Sequence, residues 1–249
     1  MNILDEIVAN TKAKVSIAKE KVSLDDLVST IHSNKIVKSK FKASLKDKDQ
    51  AIIAEIKKAS PSAGVISENF DPVTKAKEYE AFGASALSIL TEEDYFLGST
   101  QYLKDVKKIS KLPILRKDFI VDIYQIYESK LIGSDCILLI ASILSDEELN
   151  DFTKLADTLE LDYIIEVHNE DELKRVQDFS EAIIGVNNRD LKSFTVDIEN
   201  SIRLRQLFNQ DNLFVAESGI KGQSDINKLL RNGINIFLIG ESLMKGDFV

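Results

Sequence analysis

Eight short apolar runs recur along this chain, and the regularity with which they are interrupted limits what it can fold into. They begin at Ala51 (AIIAEIK), Ala86 (ALSIL), Pro113 (PILRKDF), Cys136 (CILLIAS), Asp162 (DYIIEV), Ala182 (AIIGVNN), Leu213 (LFVAES) and Ile236 (IFLIGE). Most are continuously apolar rather than alternating, the pattern of parallel strands covered on both faces. Segments of helical composition lie between them, among them 72–82, 146–159, 170–178 and 224–232. Gly83, Gly133 and Gly233 each close such a segment just before the next strand, as suits a left-handed helix C-cap. Eight strand–helix units in about 200 residues with no linker point to an α/β fold, a closed (β/α)8 TIM barrel. A doubly wound open sheet is the alternative, but it should carry a glycine-rich dinucleotide loop, and no G-x-G-x-x-G or Walker pattern is present.

The first 48 residues stand outside this repeat. Ile3, Leu4, Ile7 and Val8 have helical spacing, and Ser23 followed by Asp26 reads as a capping box. Residues 1–249 are therefore expected to form a single barrel domain, with 1–48 as a helical extension over the active-site mouth. The net charge of −9 argues against a nucleic-acid or acidic-membrane partner, since both need a basic face. No apolar run reaches the roughly 18 residues of a membrane span, and the N-terminus has no signal-peptide core. The single Cys136 reads as a core residue, and a cytoplasmic location is expected.

The polar residues gather where these strands end. Glu55 and Lys57 close the first strand, Lys117 and Asp118 the third, Glu166 and His168 the fifth. Asn187, Asn188 and Arg189 close the sixth, Glu217 and Ser218 the seventh, and the eighth leads into Gly240 and Glu241. In a (β/α)8 barrel these ends converge on one site. Glu55 and Lys57 are two apart and point to the same side of their strand. Two lysines and three glutamates projecting together would perturb one another's pKa values, which suits acid–base catalysis. AESGI after the seventh strand and LIGESL after the eighth place free backbone N–H groups at helix starts, where this fold binds phosphate. With only His32 and His168 and no cysteine cluster, metal catalysis is not expected. His168 reads as a capping or loop residue rather than a ligand.

In order and at suitable intervals, EIKKASPSAG, LTEEDYFLGS, LRKDFIVD, GVNNRDL, AESGI and FLIGESLM resemble the signature segments of indole-3-glycerol-phosphate synthase. The resemblance runs from Ile3 to Met244. It implies a carboxy-lyase of tryptophan biosynthesis, acting on a phosphosugar–anthranilate substrate without metal or organic cofactor. The reaction closes the ring of 1-(2-carboxyphenylamino)-1-deoxyribulose 5-phosphate with loss of carbon dioxide and water.

The resemblance implies a catalytic set of Glu55, Lys57, Lys117, Glu166, Asn187 and Glu217. Lys117 resembles the general acid on the substrate ketone, and Glu166 the partner that stabilises the positive intermediate and helps remove a proton. Glu55 and Lys57 resemble the pair that orients the substrate and assists loss of its hydroxyl. Asn187 and Arg189 resemble polar contacts to the anthranilate and sugar, with Glu217 a further polar member. Ser60, Ser218, Gly219, Gly240 and Glu241 resemble the phosphate set, and Phe96, Leu138 and Leu191 the wall around the aromatic ring. Carboxylates beside a phosphate are unfavourable unless they point away or pair with lysine, so the Glu241 side chain is expected to turn out. A monomer, or at most a weak homodimer, is expected.

Each residue also has a purely structural reading. Glu55 and Lys57 could be an ion pair tying the barrel mouth, Arg189 and Asp190 a surface pair, and Phe96, Leu138 and Leu191 core packing. A related phosphosugar isomerase or epimerase, or a non-catalytic phosphate binder, would keep the phosphate loops. The epimerase usually needs paired His and Asp metal ligands that this sequence lacks. The isomerase would not be expected to carry the E-x-K-x-x-S-P-S strand or the helical prefix, and the binder would not need Lys57, Lys117 and Glu166 together. Three positions depart from the family pattern. Ala63 replaces a common lysine, Ile123 a common proline, and only SLMKGDFV follows the eighth strand. That last departure predicts that the natural chain continues, or that the N-terminal helices or a partner cover the apolar strip left open.

Overall fold

The computed structural model describes residues 3–190 and 193–248. All eight apolar runs are strands: β1 Ala51–Ile56, β2 Ala86–Leu90, β3 Ile114–Lys117, β4 Cys136–Ile140, β5 Asp162–Val167, β6 Ile183–Asn187, β7 Phe214–Glu217 and β8 Ile236–Ile239. They pair in parallel in chain order and close on themselves, with Ala51 opposite Ile236 and Ile53 opposite Ala86. This is the closed (β/α)8 barrel, and the open-sheet alternative falls away.

Closure explains why the runs do not alternate. Along β1, Ala51 and Ile53 join the inner core, whereas Ile52, Ala54 and Ile56 join the outer core beneath the helices. Both faces are dry, so both sets of positions are apolar. The outer layer consists of α4 Pro72–Phe82, α5 Thr100–Ile109, α6 Ile123–Ile132, α7 Asp146–Thr158, α8 Glu170–Val176, α9 Glu199–Leu207, α10 Gln223–Arg231 and α11 Glu241–Lys245. Asp71, Ser99, Asp122, Ser145 and Asn169 cap the starts of five of them by side-chain hydrogen bonds. Gly83 and Gly133 end α4 and α6 at φ 92° and 91°, a region closed to most side chains.

The N-terminal segment makes three helices, α1 Ile3–Lys21, α2 Leu24–Ser33 and α3 Phe41–Leu45. Ser23 and Asp26 form both bonds of the capping box. The three helices go to different places. Ile3, Leu4 and Ile7 of α1 stand at the C-terminal mouth of the barrel. Ion pairs from Lys14 to Glu93 and Asp94, and from Lys19 to Asp122, hold α1 there. Helix α2 packs on α6. Helix α3 lies at the opposite end, where Phe41 and Leu45 are wholly buried against Ala51, Ala86, Cys136 and Ile236, the first residues of their strands. Asp162 at the start of β5 fastens it, accepting from Ser39 Oγ at 2.5 Å and Lys42 N–H at 2.8 Å.

The eighth outer helix is cut to the five residues of α11, yet the strip beneath it is covered. Ile52, Phe237 and Ile239 are buried. Met244 joins the outer core, and Leu243 and Phe248 pack against it. The Phe248 ring stands edge-on to Phe82 of α4 at 6.0 Å. Within this chain the cover is therefore local, supplied by α11 and Phe248.

Candidate active site

Barrel alternation carries the charged residues inward. On β1, β3, β5 and β7 the inner-core residues Ile53, Leu115, Ile164 and Val215 are each followed two positions later by Glu55, Lys117, Glu166 and Glu217. Lys57, just past β1, donates from Nζ to Glu55 Oε1 at 2.6 Å. Lys117 Nζ donates both to Glu166 Oε2 at 2.8 Å and to Glu217 Oε2 at 2.7 Å, so one ammonium joins three strands. Glu55, Glu166 and Glu217 are all at least 95% removed from solvent.

Three buried carboxylates face two ammonium groups, and the mismatch falls on Glu217. Burial raises its pKa to about 7, with the Lys117 charge opposing and the neighbouring Glu166 charge adding to the rise. Among the described residues its second oxygen, Oε1, has no hydrogen-bond partner. Burial works the other way on Lys117, but the charges of Glu166, Glu217 and Glu55 outweigh it and hold the lysine protonated. Glu166 is held well below the usual carboxylate range, because Lys117 and His168 overcome its burial. The site thus keeps a charged lysine, an ionised carboxylate and a carboxyl poised near neutrality within one network.

Above this floor opens a cavity of 590 Å³. Its apolar side includes Phe96, Phe119, Leu138 and Ile140, with the Phe96 and Phe119 rings 5.9 Å apart, and Ile3, Leu4 and Ile7 of α1 close its rim. The lining also includes Ser60, Ser218, Gly219, Gly240 and Glu241, the set that the resemblance assigns to phosphate. Ser218 and Gly219 are both left-handed, at φ 66° and 80°. For a serine this conformation is uncommon, and outliers of this kind gather at ligand sites. At Gly240, just past β8, a Cβ would stand 2.4 Å from Glu55 Oε1, so any side chain there would displace the carboxylate. Ser60 Oγ accepts from the Ala63 N–H at 3.2 Å, which shows that Ala63 serves this turn through its backbone.

Glu241 differs from expectation. It is not turned out but lines the cavity, where its carboxylate lies 3.4 Å from Arg189 Nη2 and 2.7 Å from Lys245 Nζ. The hydrogen bond from Lys245 is the main force holding its pKa down, and Arg189 and Lys57 add to it. An acid beside an anion site is tolerated because cations already neutralise it. Arg189 in turn is set by Asn187, whose Oδ1 accepts the Arg189 N–H at 3.0 Å.

The family profile described as Indole-3-glycerol phosphate synthase matches residues 4–249. Proteins of that name from Ruminiclostridium cellulolyticum and Clostridium acetobutylicum are 51% and 49% identical to this chain. Each alignment covers 98% of it, and 94% and 92% of the relatives' own lengths. The chain belongs to the indole-3-glycerol phosphate synthase family. Solved structures of lower identity share the barrel. The tryptophan synthase A-subunit of Pyrococcus furiosus aligns with a TM-score of 0.60 at 16% identity, over 79% of this chain and 89% of that one. Phosphoribosylanthranilate isomerase of Thermotoga maritima aligns with 0.54 at 11%, over 78% and 88%. These two speak for the fold alone.

Of the fifteen site residues carried over from the resemblance to indole-3-glycerol-phosphate synthase, fourteen line this one cavity; the other, Leu191, lies outside the described residues. Other contributors went unread. Lys245 looked like part of a truncated helix, and Phe119 like the tail of a strand. Gly185 sat inside the apolar run AIIGVNN, with nothing to mark that the backbone there must make room for a carboxylate. His168 was read as a capping residue, and its backbone N–H does donate to Glu172 Oε2 at the start of α8. Its ring, however, lies against Glu166 on the charged floor of the cavity. Among the described residues no helix is long and apolar enough to cross a membrane.

Proposed function

We propose that this protein closes the indole ring, converting 1-(2-carboxyphenylamino)-1-deoxyribulose 5-phosphate to indole-3-glycerol phosphate, carbon dioxide and water. The observation that carries this reading is the pair of separately anchored lysines on one cavity floor. Lys117 is held by Glu166 and Glu217, and Lys57 by Glu55. Two proton donors suit a reaction with two oxygen-centred events, addition to a ketone and departure of a hydroxyl.

The ring carbon bearing the carboxylate attacks the ketone carbon. A carbon–carbon bond forms, and Lys117 transfers a proton to the ketone oxygen as charge develops there. Loss of carbon dioxide returns its bonding pair to the ring. The new hydroxyl then leaves as water, with Lys57 supplying the proton, Glu55 holding the Lys57 ammonium in place, and solvent returning the proton to Lys57 after turnover. A carbon-bound proton is lost as the five-membered ring becomes aromatic, with Glu166 as the base and as the negative charge facing the cationic intermediate. Asn187 and Arg189 contact the anthranilate and sugar, and Phe96 and Leu138 flank the aromatic ring. The phosphate lies on Ser60, Ser218, Gly219 and Gly240, with Lys245 near. The excess of acidic residues argues against a nucleic-acid or acidic-membrane partner, and the same reading takes the chain as cytoplasmic and as a monomer or at most a weak homodimer.

The test is direct. Purified protein mixed with the carboxyphenylamino-deoxyribulose phosphate should develop indole fluorescence with no metal added. No fluorescence from folded protein at saturating substrate would defeat the proposal.

A further inference from the structure

Glu166 uses its two oxygens differently. Oε2 accepts from Lys117, while Oε1 faces His168 Nε2 at 3.4 Å, and among the described residues that nitrogen makes no hydrogen bond. The His168 side chain is 12% exposed and lies behind the cavity wall rather than in it. Its other nitrogen, Nδ1, is 3.1 Å from Glu172 Oε2, which also accepts the His168 backbone N–H at 2.8 Å. Glu172 is itself fixed, since its Oε1 accepts from Asn169 Nδ2 at 2.6 Å. From α9, Asn200 donates to the His168 carbonyl at 3.0 Å. Three elements therefore hold one imidazole between two carboxylates. A neutral ring could donate to only one of them and would turn a lone pair towards the other. A protonated ring turns an N–H towards each, at 3.1 Å from Glu172 and at a longer ion-pair distance of 3.4 Å from Glu166.

We propose that His168 is a positioning residue, held as an imidazolium between Glu172 and Glu166, which fixes the aim and the negative charge of Glu166 while Lys117 engages the substrate. This rests on the placing of Glu166 at the reacting centre given above. The charged groups facing the ring are Glu166 from β5 and Glu172 from α8, with Lys117 of β3 on the far oxygen of Glu166. Burial disfavours a charged ring, but these two carboxylates outweigh it and raise the His168 pKa to about 10. The role also explains why a residue that never touches the cavity is buried beside it.

The chain has two histidines, so ring-nitrogen NMR of the intact protein shows two signal sets, and His32→Gln assigns them. At pH 8 an ordinary histidine is neutral. We expect both His168 nitrogens to be protonated there, and Glu172→Gln to lower the titration midpoint. In His168→Gln we expect kcat to fall about tenfold with KM within about threefold, as for loss of a charge-assisted contact to a group used in the transition state. A His168 ring that is neutral at pH 8 would overturn the proposal, as would unchanged kcat in folded His168→Gln. Should that variant not fold, the wild-type ring titration and the kcat of Glu172→Gln decide instead, a loss supporting the proposal and an unchanged value refuting it. Glu166→Gln separates the two layers. If it keeps full kcat, the assignment of Glu166 fails; if it is inactive while His168→Gln is not, only the present inference fails.

Discussion

Gly185 lies directly beneath Glu217: a Cβ added to Gly185 on β6 would stand 2.2 Å from Glu217 Oε1 and 2.7 Å from Ile164 Cγ2. The carboxylate that shares Lys117 therefore exists in this position only because the neighbouring strand has no side chain there. Gly185 has negative φ, so the constraint is one of space rather than of backbone conformation.

Gly185→Ala should consequently act on chemistry as well as stability. Ile164 and Glu217 must both draw back to reach ordinary van der Waals distance, and overpacking of a tight interior typically costs about 1–3 kcal/mol. Displacing Glu217 also removes one of the two acceptors of Lys117. We expect kcat to fall at least about tenfold, which corresponds to ~1.4 kcal/mol. Steady-state kinetics alongside urea unfolding will show it. Wild-type kcat in a folded Gly185→Ala protein would mean that the Glu217 position is not needed.

Lys117→Met should abolish turnover while leaving substrate affinity within about tenfold, because the lost charge serves mainly the transition state. The variant leaves Glu166 and Glu217 buried without their cation, so its stability should fall by several kcal/mol. Retention of more than about a tenth of wild-type kcat would contradict the general-acid role.

The contrast between Gly185 and its surroundings shows what the sequence made legible. The eight strands were readable because burial on both faces leaves unbroken apolar runs, and the charged floor because Glu55, Lys117, Glu166 and Glu217 interrupt those runs at the same end. Gly185 was not readable, since its function is to be empty and an apolar run tolerates a glycine silently. Helix α3 was missed for another reason. Its five residues, FKASL, are too few to display a period, so the extension was read as a cover for the mouth, whereas Phe41 and Leu45 close the opposite end. Glu241 was misjudged because its neutralising partners, Arg189 and Lys245, come from a different loop and from the next turn of helix.

The pH dependence of stability should carry a signature of Glu217. Its carboxyl titrates near 4.5 in the unfolded chain and at about 7 in the folded protein. Between those values the native state binds more protons than the unfolded state, so stability falls as pH rises through the window and levels off above it. Lowered groups such as Glu166 act oppositely and lose their contribution only as pH falls below the usual carboxylate range. Glu217→Gln removes the titration while keeping a neutral side chain of similar shape. The wild type should therefore lose stability relative to Glu217→Gln on going from pH 5 to pH 8 in urea unfolding. A constant difference across that range would place the Glu217 pKa at an ordinary value.

The extension offers the sharpest separation of roles, because its two ends sit at opposite ends of the barrel. Deleting residues 1–21 removes α1, with Ile3, Leu4 and Ile7 at the cavity rim and the ion pairs of Lys14 and Lys19. Those pairs are half exposed and contribute little to stability. What is lost is the cover that excludes water from the site. The truncated protein should fold, with raised KM and lowered kcat. Phe41→Ala should do the reverse. Its ring is wholly buried in the inner core, and such a truncation typically costs about 3–5 kcal/mol. Yet Phe41 lies on the floor formed by the first residues of the strands, whereas the lysines and glutamates lie at their ends. At a temperature where the variant remains folded, KM and kcat should match the wild type within about twofold, a difference of under ~0.5 kcal/mol. Kinetics and melting curves of the two variants together test the division. A lid deletion with unchanged kinetics, or a Phe41→Ala protein that is fully stable, would refute the corresponding half.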